Sequence, residues 1–103
     1  MYKLTVFIPE EALEQVKSAL FAAGAGKIGS YEQCCWQVQG VGQFMPLIGS
    51  KPHIGTHDSL ETVNEWRVEM VVTKANIDNV VEALKQAHPY ETPAYDVIEV
   101  LSF

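Results

Sequence analysis

Apolar and polar side chains alternate from Tyr2 to Ile8, with Leu4, Val6 and Ile8 on one face and Thr5 and Phe7 on the other, which is the period of a strand. Pro9 ends it, because proline has no N–H to contribute to a ladder. The period then changes. Glu10 and Glu11 suit the positive end of a helix, and Leu13, Val16, Leu20 and Ala23 recur every three or four residues until Gly24, a residue free to take positive φ. Two β-compatible runs follow, Tyr31 to Gln39 around Trp36 and Val38, and Val63 to Thr73 around Trp66, Val68, Met70 and Val72. Ile77, Val80, Val81, Leu84 and Ala87 predict a second helix, with His88 in its last turn and Pro89 directly after. From Ala94 to Leu101, Ile98 and Val100 oppose Tyr95, Val97 and Glu99, the pattern of a fourth strand.

The order β-α-β-β-α-β predicts an α+β fold of the ferredoxin-like split type, with one four-stranded antiparallel sheet, two helices on one face and a single domain over residues 1–103. The other face of the sheet is then open. Several strands nevertheless carry apolar groups on both sides, such as Phe7 between Val6 and Ile8 and Val71 between Met70 and Val72. A sheet wet on one side alternates more cleanly, so self-association through the open face or its edges is expected. The segment Gly40 to Ser59 reads as a long loop with four glycines, Pro46 and Pro52. Its Phe44, Met45, Leu47, Ile48 and Ile54 argue for packing against the domain, a second subunit or a partner, since a solvated linker gains nothing from them.

Charge narrows the classes of partner. Seven basic against thirteen acidic side chains give a net charge of −6, the wrong sign for a surface that neutralises phosphates, so no nucleic acid is expected. No apolar run reaches the roughly eighteen residues of a membrane span, and the N-terminus lacks the shape of a signal peptide, so no membrane and a cytoplasmic location are expected. The adjacent Cys34 and Cys35 suit reduced thiols, because neighbouring strand side chains point to opposite faces.

Candidate chemistry is sparse. Gly24-Ala25-Gly26-Lys27-Ile28-Gly29 has the spelling of a dinucleotide-binding loop, yet it follows a helix and precedes a strand, so no helix N-terminus is there to receive a phosphate. His53 and His57, four apart, have a helical metal-ligand spacing, but Pro52 and Gly55 oppose a helix there. They read first as exposed loop side chains and second as weak metal or anion ligands. His88 with Glu91 is a second polar pair, and Tyr90 lies between them in sequence. Glu61, Glu65 and Glu69 repeat every four residues and read as solvated. No Ser/His/Asp order, HExxH motif or P-loop occurs.

Four stretches together resemble a known family: Gly26-Lys27-Ile28-Gly29-Ser30-Tyr31 followed by Cys34, Gly40-Val41-Gly42-Gln43-Phe44-Met45-Pro46, Pro52-His53-Ile54-Gly55, and His88-Pro89-Tyr90-Glu91-Thr92-Pro93-Ala94-Tyr95-Asp96. They are similar to the domain inserted in YqfO proteins of the Nif-three-like family, and the likeness runs over nearly the whole chain. It implies a domain similar to the PII signalling and CutA proteins, oligomeric, with a long connection between the second and third strands. The family's dinuclear metal site and its GTP cyclohydrolase homology belong to a flanking core domain for which these 103 residues leave no room, so metal hydrolase activity is not expected here.

The resulting expectation is a non-enzymatic oligomer, a trimer by the CutA and PII resemblance or a dimer by the common habit of soluble proteins, that binds a small molecule or a divalent metal ion. Gly42, Phe44, Pro46, His53, His57 and Tyr90 are the candidate ligand-binding residues, and His88 and Glu91 the candidate metal ligands. The alternative is a structural module that docks onto a separate metal-site core protein.

Overall fold

The computed structural model describes residues 1–103 and contains β1 (Tyr2–Pro9), α1 (Leu13–Ala22), β2 (Trp36–Phe44), β3 (Glu61–Val72), α2 (Ile77–Ala87) and β4 (Tyr95–Glu99). One 3₁₀ turn, Glu10–Ala12, leads into α1. The strands form a single antiparallel sheet in the order β2-β3-β1-β4, so each helix joins two parallel strands that have a third between them. This is the split βαβ arrangement expected from the order of elements.

The core follows from the two periods meeting. Leu4, Val6 and Ile8 of β1 pair with Met70, Val68 and Trp66 of β3, and Leu13, Val16 and Leu20 of α1 with Val80 and Leu84 of α2 complete the buried cluster on that face. The first helix closes as its glycine predicts. Gly24 takes φ +109°, its N–H donates to the Phe21 carbonyl, and the N–H of the buried Ala25 reaches back to Leu20, which satisfies two carbonyls that the helix end would leave unpaired. No helix is long and apolar enough to cross a membrane.

Three expectations need correction. The second strand begins at Trp36, five residues later than its β-compatible composition suggests, because Ile28 and Tyr31 exchange two hydrogen bonds of 2.9 Å in a tight turn and Gln33 sits at φ 59°. It also runs on to Phe44, through residues assigned above to the long loop. Gly40 to Phe44 pair in register with Glu65 to Glu61, and the ladder uses main-chain groups that every residue there possesses, so the low strand propensity of two glycines is overridden. The acidic series is the third correction. Glu69 is only 17% exposed, and its carboxylate lies between Lys3 Nζ at 3.5 Å and Arg67 Nη2 at 2.6 Å.

The open face is therefore mixed. Phe7, Val38, Val71 and Ile98 share it with this ionic cluster, while the outer edge of β2 has no strand beside it. Register also sets the overall shape. β1 pairs with β3 only from Glu65 onward, so Val41–Phe44 and Glu61–Asn64 project past the end of β1 as a two-stranded arm, and the molecule measures 47 × 24 × 23 Å. Around this arm Val41, Met45, Leu47, Leu60 and Ile48, the last 83% exposed, stand in solvent, whereas Pro46 is buried. Of the five apolar residues expected to pack there, Phe44 and Ile54 are thus partly covered within one chain, and Met45, Leu47 and Ile48 are not.

Candidate functional site

Where the arm leaves the body, the residue 45–60 connection folds back toward the segment between α2 and β4. The connection is tied to itself: Asp58 N–H donates to the Pro46 carbonyl at 2.6 Å, Ser50 Oγ to the Leu47 carbonyl at 2.7 Å, and His57 Nε2 to the Ser50 carbonyl at 2.8 Å. It is tied across by the Lys51 N–H, which donates to Glu91 Oε1 at 2.9 Å. The result is a cleft of about 300 Å³ lined by Gln43, Phe44, Pro46, Ser50, Pro52, His53, Ile54, Glu65 and the Tyr90–Thr92 turn with Ala94.

Tyr90 stands at its centre. Its ring centroid lies 6.2 Å from Phe44, 6.3 Å from His53 and 4.8 Å from His88, each ring tilted against it. Its hydroxyl donates to Glu65 Oε2 at 3.1 Å. Burial first, then the charge of Glu65, the hydrogen bond to it and the charge of Glu11, push the phenol well above the usual tyrosine range, so it stays protonated and remains a donor.

Gly42 makes that geometry available. A Cβ on residue 42 would collide with the Oε1 and Cδ of Glu65, whose side chain lies over the glycine on its way to the tyrosine. A methyl group there must displace the carboxylate. Tyr90→Phe should accordingly cost about 1 kcal/mol in the native protein, the worth of a hydrogen bond to a partly exposed carboxylate, and close to nothing in a Gly42→Ala background. Urea unfolding of the four members of this cycle measures the coupling; additive losses would show that the glycine is not the seat of Glu65.

His88 supports Tyr90 from below. It is 5% exposed, its Nε2 lies 2.7 Å from the Phe7 carbonyl, and its Nδ1 lies 3.1 Å from the Tyr90 main-chain N–H. A carbonyl can only accept and an amide N–H can only donate, so the ring is the neutral Nε2–H tautomer with its one free lone pair already used. Burial is the main reason its pKa falls below the ordinary 6.5, the charge of His53 adds to the fall, and the bond to Phe7 opposes it.

The site thus gathers Phe44, Pro46, His53, Tyr90 and Glu91 around one cleft and places Gly42 under Glu65. It separates the other candidates. His57 faces the Ser50 carbonyl and shapes the connection, and His88 and Glu91 serve different partners, the first Phe7 and Tyr90, the second Lys51. No group of three or more His, Cys, Asp or Glu side chains is arranged to hold a metal ion within the chain. Sequence reasoning missed Glu65, and it missed Glu11, whose Oε1 lies 3.6 Å from His53 Nε2. A signal for Glu65 existed: a four-residue repeat of glutamates on a strand keeps one face, and that face is the one carrying Gly42 and Phe44.

No family model matches the chain. Ninety-eight residues, 95% of the chain, are 47% identical to a Bacillus subtilis protein named GTP cyclohydrolase 1 type 2 homolog and cover 26% of it. A solved Bacillus cereus protein related to NIF3 superposes with a TM-score of 0.79 at 40% identity, over 93% of this chain and 24% of that one. CutA1 from Pyrococcus horikoshii superposes over 100% of this chain and 86% of its own, with a TM-score of 0.70 at 17% identity, a likeness of fold. The chain spans about a quarter of the length of the curated relatives it matches. It is therefore a homologue of one domain of the NIF3/YqfO proteins, the domain with the fold of CutA.

Proposed function

We propose that this chain is a non-enzymatic binding domain that holds a small molecule in the cleft around Tyr90 and works as an assembly of identical subunits in the cytoplasm. One observation carries the reading: three separate parts of the chain, the end of the β2–β3 arm, its connection and the Tyr90–Ala94 turn, converge on a concave site with aromatic walls and a few placed polar groups. Phe44, Pro46, His53 and Tyr90 line it, Gly42 leaves room for the Glu65 side chain that lines it, and His57 holds the connection in shape through the Ser50 carbonyl. A divalent metal ion is the second ligand class, with Glu91 and His88 as its first candidates. The small molecule is favoured because the ring of His88 already uses both nitrogens.

Self-association is supported by the apolar positions left in water: Val38 and Ile98 on the open face, Trp36 at the unpaired edge, and Met45, Leu47 and Ile48 around the arm. Three subunits is the expected number and two the alternative. The free thiols of Cys34 and Cys35 suit the reducing cytoplasm.

Calorimetry of the purified protein against divalent metal ions and a panel of nucleotides and small heterocycles tests the ligand, with uptake lost in Tyr90→Ala; no uptake by the native protein removes the reading. Light scattering tests the assembly. A particle of two or three times the 11.4 kDa chain mass is expected, with Val38→Lys shifted toward the monomer, and a native monomer at every concentration rejects it.

A second reading, a structural module docking onto a separate metal-site core protein, is favoured by a specific observation: the relatives carry this domain as about a quarter of a longer chain. A pull-down with this protein that recovers no such core protein from its own cell extract counts against that reading.

A further inference from the structure

We infer that the cleft takes a small planar cation, an amidine or a protonated aromatic amine, rather than a phosphorylated molecule. This rests on the reading of the cleft as a ligand site and goes beyond it by assigning the ligand's charge and shape. Two carboxylates line the cleft, Glu65 and Glu91, and no lysine or arginine side chain does. Each carboxylate has one oxygen anchored and one left over: Glu65 Oε2 accepts from the Tyr90 hydroxyl while Oε1 lies over Gly42, and Glu91 Oε1 accepts from the Lys51 N–H. An anchored carboxylate with a spare oxygen is an oriented acceptor, and its strongest partner is a charged N–H donor.

The surroundings favour the same sign. Glu11 stands behind His53 at 3.6 Å. The segment that carries Tyr90 and Glu91 follows the C-terminal end of α2, the negative end of its dipole. Burial raises the Tyr90 phenol most, and the charges of Glu65 and Glu11 push it in the same direction, which is the contribution a negative surrounding makes. Opposing features are few: His53 is the one lining side chain able to carry positive charge, and Glu11 already offsets it.

Shape follows from the rings. Phe44 and Tyr90 face the cleft with centroids 6.2 Å apart and planes tilted by 50°, a wedge that offers an aromatic face to a flat guest, and such faces attract cations. A volume of about 300 Å³ suits a molecule of one or two rings. A triphosphate tail would meet Glu65 and Glu91 with only His53, already faced by Glu11, to offset them.

Three nearly isosteric probes separate charge from shape: benzamidine, benzamide and benzoate, titrated at low salt into the ¹⁵N-labelled protein. Benzamidine should shift the amides of Phe44, His53, Tyr90 and Glu91, bind about tenfold more tightly than benzoate, and weaken as salt is raised. Glu65→Gln, which keeps an acceptor for the tyrosine hydroxyl, should lose about tenfold for benzamidine and leave benzamide unchanged. Benzoate binding as tightly as benzamidine, or tighter, overturns the assigned charge while leaving the cleft a ligand site. Cleft amides that respond to none of the three probes overturn the cleft reading and this inference with it.

Discussion

His88→Ala is expected to destabilise the protein by about 3 kcal/mol, which for a domain of this size lowers the midpoint of thermal unfolding by about 15 °C. The substitution removes a buried ring and leaves two main-chain groups unpaired at once, the Phe7 carbonyl at the end of β1 and the Tyr90 N–H in the cleft wall. Either orphan alone is worth about 1–3 kcal/mol where water cannot reach it. The same ring makes stability depend on pH. Its folded-state pKa lies below the ordinary 6.5, so the unfolded chain binds the proton more readily than the native one. Stability from this group is full above pH 6.5 and falls as the pH drops from there through the depressed folded-state value. A proton on Nδ1 would also turn the acceptor of the Tyr90 N–H into a second donor. Urea unfolding at pH 7.5 and pH 5 measures both effects. The native protein should lose stability between the two pH values and the alanine variant should lose less. A loss of equal size in both proteins would falsify the assignment of the titration to His88.

The second large effect belongs to the core. Leu84→Ala should cost about 3 kcal/mol, because Leu84 is 0% exposed and its methyl groups fill the space between α2, α1 and the sheet. Lys85→Ala, one residue further round the same helix and exposed, should stay within about 0.5 kcal/mol. The contrast tests the amphipathic reading of α2, and it reaches the cleft as well. The Leu84 carbonyl accepts the His88 N–H at 2.9 Å, so a helix whose last turn loosens also loosens the ring beneath Tyr90. Leu84→Ala should therefore raise hydrogen exchange at Tyr90 in the native state, whereas Lys85→Ala should not. Equal stability of the two variants would mean that α2 is not held by this face.

The homology covers this domain and not the remainder of the longer proteins that contain it, so the names of those proteins describe more than these 103 residues. What these residues themselves present is a wedge of two aromatic rings with an acidic lining, at the base of an arm whose apolar side chains stand in water.

The elements and their order were legible in the amino-acid sequence because each rests on a local regularity: alternation in Tyr2–Ile8, three-and-four spacing in Ile77–Ala87, a glycine at the end of the first helix. Those regularities also decided the core, since a helix face and a strand face each name their own buried residues. The extent of β2 was not legible. Gly40 and Gly42 look like breakers until β3 lies beside them, and a ladder of main-chain hydrogen bonds is indifferent to their missing side chains. Nor could spacing foretell that Glu65 would lie over Gly42 to meet Tyr90 from 25 residues away, or that His88 would take its partner from Phe7, 81 residues earlier. Local periodicity determines which residues turn inward. Only the closed fold decides which distant polar groups, once excluded from water, must find each other, and the cleft is the sum of those pairings.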